Sequence, residues 1–277
     1  MKIGLISDSL RLPFAESISA AAKLGVTGVQ KYLTGWGGFG ADDMTPERIR
    51  EVRDIMDSNG LIFSAFCGDF GIDLDNDEVI EKSMRVLDKA KELGCSIVTT
   101  HIGHIEDGDS PRMEKLRNNC YKLAAYADSM GSKFACETGT EKAVAMKKFL
   151  DELGAKGLAT NLDPANLVMV AKDDPVQAVY TLKDYIVHTH AKDGVMLHRG
   201  NPEYIYGVVH PVPEEFQGIQ YFAEVPLGQG SVHFDTYLAA LDEIGFKGFL
   251  TIERECGDTP EADIRLAVEH LNAVMGK

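Results

Sequence analysis

The 277-residue chain has a single tryptophan, only five cysteines and far fewer basic than acidic residues, 28 Lys+Arg against 43 Asp+Glu. It also lacks long apolar runs: none reaches the roughly 18–20 residues that a membrane helix needs. The opening stretch, MKIGLISDSLRLPF, is interrupted by Ser7 and Asp8 too early for the apolar region of a secretory signal. The cysteines at 67, 95, 120, 136 and 256 are odd in number and contain no CxxC spacing, so reduced thiols in a cytoplasmic protein are expected rather than a disulfide framework. The net charge of −15 repels nucleic-acid phosphates and anionic lipid alike, so neither is expected as a partner. The turn after the first apolar run reads SDSLRLPF, without the GxGxxG of a dinucleotide-binding sheet. The glycine-rich run at 35–40, GWGGFG, lacks the lysine and hydroxyl residue of a phosphate loop.

What is present is ordinary globular composition, 44% hydrophobic, 8% aromatic and 26% charged, arranged as a repeated phrase. Short apolar runs lie at 2–7, 28–33, 61–66, 96–102, 132–137, 157–163, 185–191 and 248–253. Helical patterns cover 14–24, 46–59, 77–93, 112–130, 141–153, 175–183, 234–244 and 260–275. Two helices open on Thr-Pro-Glu, at Thr45 and Thr259, with proline at the first helical position. Five close on glycine, at Gly25, Gly94, Gly131, Gly154 and Gly245. Eight such units of about 35 residues predict a (β/α)8 TIM barrel occupying residues 1–277 as a single domain. The segment 194–230 reads as a long irregular loop over the mouth of that barrel, where loops of this length tend to be functional.

In such a barrel, chemistry sits at the C-terminal ends of the strands, and these runs end on acids and imidazoles. Run four ends at His101, run five at Glu137 and run six at Asp163. Run seven carries His188 and His190, and run eight ends at Glu253. Period-2 alternation puts His188 and His190 on one side, with His190 nearer the mouth. Glu253 and Glu255 share a side in the same way, and Glu255 already runs into the following turn. Three carboxylates and one imidazole converging without compensation would be costly, and a divalent cation resolves the cost. Oxygen donors with one nitrogen suit Mn²⁺, Mg²⁺, Co²⁺ or Zn²⁺, the oxygen-rich set leaning to the first two. Further candidates surround this set. His101 is placed to donate to a substrate hydroxyl. Lys192 could pair with Asp193 or steady an oxyanion. Trp36 could lie against a substrate or line an apolar pocket, and Arg199 could reach in from the long loop.

The motifs CETG (136–139), NLDPAN (161–166), HTHAKD (188–193) and FLTIERE (249–255), with THIGH (100–104) and VPLGQG (225–230), resemble the xylose isomerase-like TIM-barrel superfamily along the whole chain. Its members include ketose 3-epimerases, hydroxypyruvate isomerase, inosose dehydratase and, more distantly, endonuclease IV. The resemblance implies Glu137, Asp163, His190 and Glu253 as metal ligands, the two glutamates doubling as acid and base. It implies a divalent metal, Mn²⁺ first, a small sugar substrate and a homo-oligomeric state, dimer or tetramer. The sequence departs from the epimerase pattern at Asn166, where a histidine is common. It departs again in HTHAKD, which lacks the usual arginine beyond the histidine, and at Gln30-Lys31, where a glutamate often stands.

The activity expected is therefore isomerisation or epimerisation of a ketose or related sugar through an enediolate, the substrate-binding set being His101, Trp36, Asn166, Lys192 and Arg199. A lyase or dehydratase acting on an oxidised sugar, of the inosose or 3-keto-glycoside type, is the alternative, because it begins with the same proton abstraction. An endonuclease IV-like nuclease fits poorly with the −15 charge and the missing histidines. A non-catalytic sugar-binding barrel would leave the intact quartet without a purpose.

Overall fold

The computed structural model describes residues 1–106, 108–205 and 211–276. Its strands are β1 (Lys2–Ile6), β2 (Gly28–Tyr32), β3 (Ile62–Cys67), β4 (Ile97–Thr100), β5 (Lys133–Glu137), β6 (Leu158–Leu162), β7 (Ile186–Ala191), β8 (Asp193–Met196), β9 (Phe222–Val225) and β10 (Phe249–Ile252). Eight of them close into a parallel barrel in the order β1-β10-β7-β6-β5-β4-β3-β2. Between them run α1 (Phe14–Lys23), α2 (Pro46–Ser58), α3 (Ile80–Glu92), α4 (Pro111–Ser129), α5 (Ala143–Leu153), α6 (Pro175–Leu182), α7 (Phe234–Glu243) and α8 (Pro260–Val274). This is the (β/α)8 barrel that the alternating pattern predicts. Among the described residues, no helix is long and apolar enough to cross a membrane.

Local chemistry sets the helix boundaries. Thr45 caps α2 by accepting from the Arg48 amide at 3.2 Å, and Ser110 caps α4 by accepting from Met113 at 3.1 Å, each with proline next in the chain. The five glycines that end helices all adopt positive φ, between 56° and 86°, where a side chain would be strained. Each helix then buries one stripe against the sheet; in α4 it is Leu116, Cys120, Leu123 and Ala127. The close approach of α4 requires Gly157, since a Cβ there would lie 1.9 Å from the Ala124 carbonyl oxygen.

The barrel interior changes character along its axis. At the N-terminal end of the strands the Phe249 ring fills the space left by Gly4 and Gly28. Midway, Gln30, Thr99, His188 and Thr251 form a buried polar layer. At the C-terminal end Glu137, Asp163, His190 and Glu253 meet. The alternation along β10 shows the progression: Phe249, Thr251 and Glu253 all face inward.

The long segment after β7 is not the irregular loop its composition suggested. It opens and closes on an antiparallel hairpin, Asp193↔Val225 to Met196↔Phe222, with a short helix at Pro202–Ile205 between; residues 206–210 lie outside the described residues. Four-residue strands with glycine in one of them carry too little pattern to be read as strands. The hairpin depends on that glycine, because a Cβ on Gly194 would meet Met169 Sδ at 2.1 Å.

Candidate metal centre

Four strand ends deliver the quartet. Glu137 is the last residue of β5, His190 lies near the end of β7, and Glu253 follows β10. Asp163 follows β6 and does two things at once. Its Oδ1 accepts from the Ala165 and Asn166 amides at 2.7 and 3.0 Å, capping the short helical turn that Pro164 begins. Its Oδ2 is then left facing His190. The NLDPAN motif is thus a cap with one carboxylate oxygen to spare.

One ligand atom from each of Glu137, Asp163, His190 and Glu253 lies within 4.8 Å of all the others. His190 Nδ1 is the hub, 3.4 Å from Glu137 Oε1, 3.4 Å from Asp163 Oδ2 and 3.0 Å from Glu253 Oε2. All four residues are buried. Gln30 Oε1 lies 3.1 Å from His190 Nε2 and is placed to accept its proton. Nδ1, on the other side of the ring, faces the three carboxylates and is the nitrogen that a cation would take on displacing its proton. The same Gln30 oxygen lies 2.8 Å from His188 Nε2, and the Gln30 amide donates to Thr99 Oγ1 at 3.1 Å. Burial and the neighbouring His190 push His188 well below the usual imidazole range. His188 is therefore a neutral imidazole beneath the quartet.

The electrostatics show what the cluster demands. Burial opposes the charged form of His190, yet Glu137 and Glu253 raise its pKa well above the ordinary value. Burial likewise opposes ionisation of Glu137, but His190 and His101 hold it below the usual carboxylate range. Glu253, against the same burial, is brought down to about 2 by Lys192 and His190. Glu137 and Glu253 stay ionised in a dry place only because positive charge stands among them. Glu253 Oε2 is buried and accepts no hydrogen bond among the described residues, although it sits 3.2 Å from Lys192 Nζ. An acceptor of that kind beside an imidazole nitrogen and two more carboxylates fits a hard or borderline divalent cation.

Above the quartet opens a cavity of about 270 Å³. His101, Asn166 and Lys192 line it. Asn166 donates to the Thr138 carbonyl at 3.0 Å and lies 3.4 Å from Glu137 Oε1, so it braces that carboxylate. His101 Nδ1 is 3.0 Å from Asp69 Oδ2 and its Nε2 3.5 Å from Glu137. Burial lowers the pKa of His101, but Glu137 and Asp69 outweigh it and lift the value to about 10. Lys192 does not pair with Asp193. Its ammonium faces Glu253, Glu255 and, at 3.9 Å, Glu224. Asp193 turns the other way and accepts from four backbone amides, those of Gly194, Gly228, Gly230 and Val232, at 2.9–3.0 Å. That explains the VPLGQG motif: its glycines bring the turn so close that a Cβ on Gly230 would lie 2.1 Å from Asp193 Oδ1. His104 of THIGH lies 3.0 Å from Thr140 Oγ1 and 3.2 Å from Glu203, linking the end of β5 to the short helix of the long segment.

Two sequence candidates fall elsewhere. Arg199 is exposed and does not line the cavity. Trp36 is 61% exposed and lies beside the cavity, its ring edge-on to Tyr32. The structure also supplies residues that the sequence did not single out for the site. Gln30 and Asn161 hold His190 and Glu137, with Asn161 donating to Glu137 Oε2 at 2.9 Å. Asp69 orients His101, and Glu224 takes Arg254 and the Glu255 amide. Parity marks Gln30 and Asn161 as inward-facing, but only barrel closure tells what they meet.

The model of the family described as xylose isomerase-like TIM barrel matches residues 18–274. Among solved structures, a xylose isomerase domain protein from Planctomyces limnophilus is 26% identical, with 93% of this chain and 90% of that one covered and a TM-score of 0.76. A probable 3-DHS dehydratase involved in petrobactin synthesis, from Bacillus anthracis, has a TM-score of 0.76 at 19% identity, over 98% and 99% of the two chains. A D-psicose 3-epimerase crystallised in the presence of D-fructose has a TM-score of 0.74 at 15% identity, over the full length of both. A search of curated proteins finds no match.

Proposed function

The chain belongs to the xylose isomerase-like TIM-barrel family, and from that membership we propose that it is a divalent-metal-dependent isomerase or epimerase of a ketose or related sugar. The observation that carries the reading is the buried quartet within 4.8 Å, with His190 Nδ1 facing the three carboxylates and Gln30 Oε1 set against its other ring nitrogen. Glu137, Asp163, His190 and Glu253 would hold the cation, Mn²⁺ or Mg²⁺ suiting the oxygen-rich set best. When bound, it would supply Lewis-acid polarisation of a substrate carbonyl and its neighbouring hydroxyl.

The chain's own groups do the rest. Glu137 and Glu253 come from strands three places apart around the barrel, so they flank a substrate lying over its axis. Both are held ionised, so either can act as the base that takes the proton beside the carbonyl. The carboxylic acid so formed returns that same proton to the planar enediolate in an isomerisation, while inversion at carbon needs the opposite carboxylate to have first taken up a proton from water. His101, fixed by Asp69, and the Lys192 ammonium offer donors to the oxygens on which charge develops. Lining by carboxylates and amides, with the one lysine already compensated, suits a neutral sugar.

A panel of ketoses in D₂O tests the proposal. Chelated protein should take up no deuterium at carbon, and Mn²⁺ or Co²⁺ should restore uptake. Full exchange by metal-free protein would sink the proposal. The second reading, dehydration of an oxidised sugar, is favoured by Lys192: a cationic donor 3.2 Å from Glu253 can also assist a departing oxygen. A product lighter by one water, in place of an isomer, would decide for it.

A further inference from the structure

Trp36 is the chain's only tryptophan, and it is held exposed by a loop built to present it. The loop is closed at its base by a bridge between Thr34 and Gly40, and it bends through Gly35, Gly37 and Gly38, all at positive φ. Beneath it Phe39 is 2% exposed and packs on Phe14, with ring centroids 4.9 Å apart. One aromatic side chain of this short loop therefore anchors it, while the other faces outward.

That outward ring borders a second cavity of about 200 Å³, lined also by Asp8, Ser9, Arg11 and Arg254. Tyr32, Glu253 and Glu255 line both this space and the cavity over the quartet, so the two share a wall that includes a proposed catalytic carboxylate. The charges here are already spoken for. Arg11 donates to the Glu255 and Gly257 carbonyls at 2.9 Å, Arg254 is paired with Glu224 and Asp263, and Asp8 with Lys31. A surface of compensated polar groups beside an aromatic ring that is 61% exposed suits a neutral polyhydroxylated ring better than a phosphate or a hydrocarbon.

We propose that Trp36 and this second cavity form a subsite for a further sugar ring, so that the preferred substrate is a glycosylated ketose rather than a free monosaccharide. The proposal rests on the reading of the quartet as the reacting centre, and it concerns only what extends beyond that centre. The probes are isomaltulose and leucrose, each a D-fructose carrying a glucosyl ring, compared with D-fructose on Mn²⁺-loaded protein. Because there is one tryptophan, its fluorescence reports this loop alone. The disaccharides should shift the emission saturably and bind about tenfold more tightly than D-fructose. By calorimetry, Trp36→Ala should reduce their affinity to that of D-fructose and leave D-fructose within about twofold, while Trp36→Phe should restore most of the difference.

Equal affinity for mono- and disaccharides, with unmoved emission, overturns the subsite even if deuterium exchange proceeds. Emission that changes with protein concentration instead of sugar overturns it too, and would place Trp36 between copies of the chain. A saturable shift in protein that exchanges no deuterium would leave the subsite standing and count against the proposed reaction alone.

Discussion

The two ends of the barrel solve opposite problems. At the N-terminal end, two glycines and one phenylalanine fill the interior with apolar atoms, and nothing there needs a partner from outside. At the C-terminal end, three carboxylates crowd one imidazole in a buried place, an arrangement that packing alone does not favour. The polar layer of Gln30, Thr99, His188 and Thr251 joins the two ends. The difference teaches that stability and chemistry are held at separate ends of the same strands, and substitutions should separate them.

The largest expected effect is at the mouth. Glu137→Gln should lower deuterium exchange by roughly 10²–10⁴-fold, while the thermal midpoint falls only modestly, by the loss of the charge that His190 and His101 hold ionised. A variant that loses stability and keeps exchange would reverse the comparison. Asp193→Ala comes next, since it strips the acceptor from four backbone amides. It should cost about 3 kcal/mol in urea unfolding, with hydrogen exchange quickening at Gly228, Gly230 and Val232. Gln30→Met keeps the volume and removes the acceptor that fixes His190. Metal affinity should fall by about 10–100-fold by calorimetry, and an unchanged affinity would show that Gln30 merely fills space. Smallest is Gly28→Ala at the closed end, where a Cβ would lie 2.2 Å from the Phe249 ring. About 1–3 kcal/mol of stability should be lost, with metal affinity and exchange per folded molecule intact.

Much of this was legible in the chain because it is local. Proline-led helix starts, glycine stops and apolar runs describe units that fold on their own neighbours, and all eight lie where the pattern puts them, to within a few residues. The quartet was legible too, because strand ends and period-2 alternation aim Glu137, Asp163, His190 and Glu253 at one place before any partner is known. What escaped is what depends on closure. Gln30 and His188 meet across 158 residues of sequence, and nothing near either reveals the other. Lys192 sits next to Asp193 in the chain, but alternation sends them to opposite sides, so the adjacent charges do not pair. The β8–β9 hairpin was hidden by its shortness, and with it Glu224 at the rim.

The most direct test is metal content. Protein dialysed against Mn²⁺ and passed through a desalting column should carry one equivalent per chain, and the Asp163→Asn and Glu253→Gln variants, folded by circular dichroism, should retain little. A wild-type chain that takes up no divalent cation, or variants that hold it as firmly as wild type, would contradict the account at its centre.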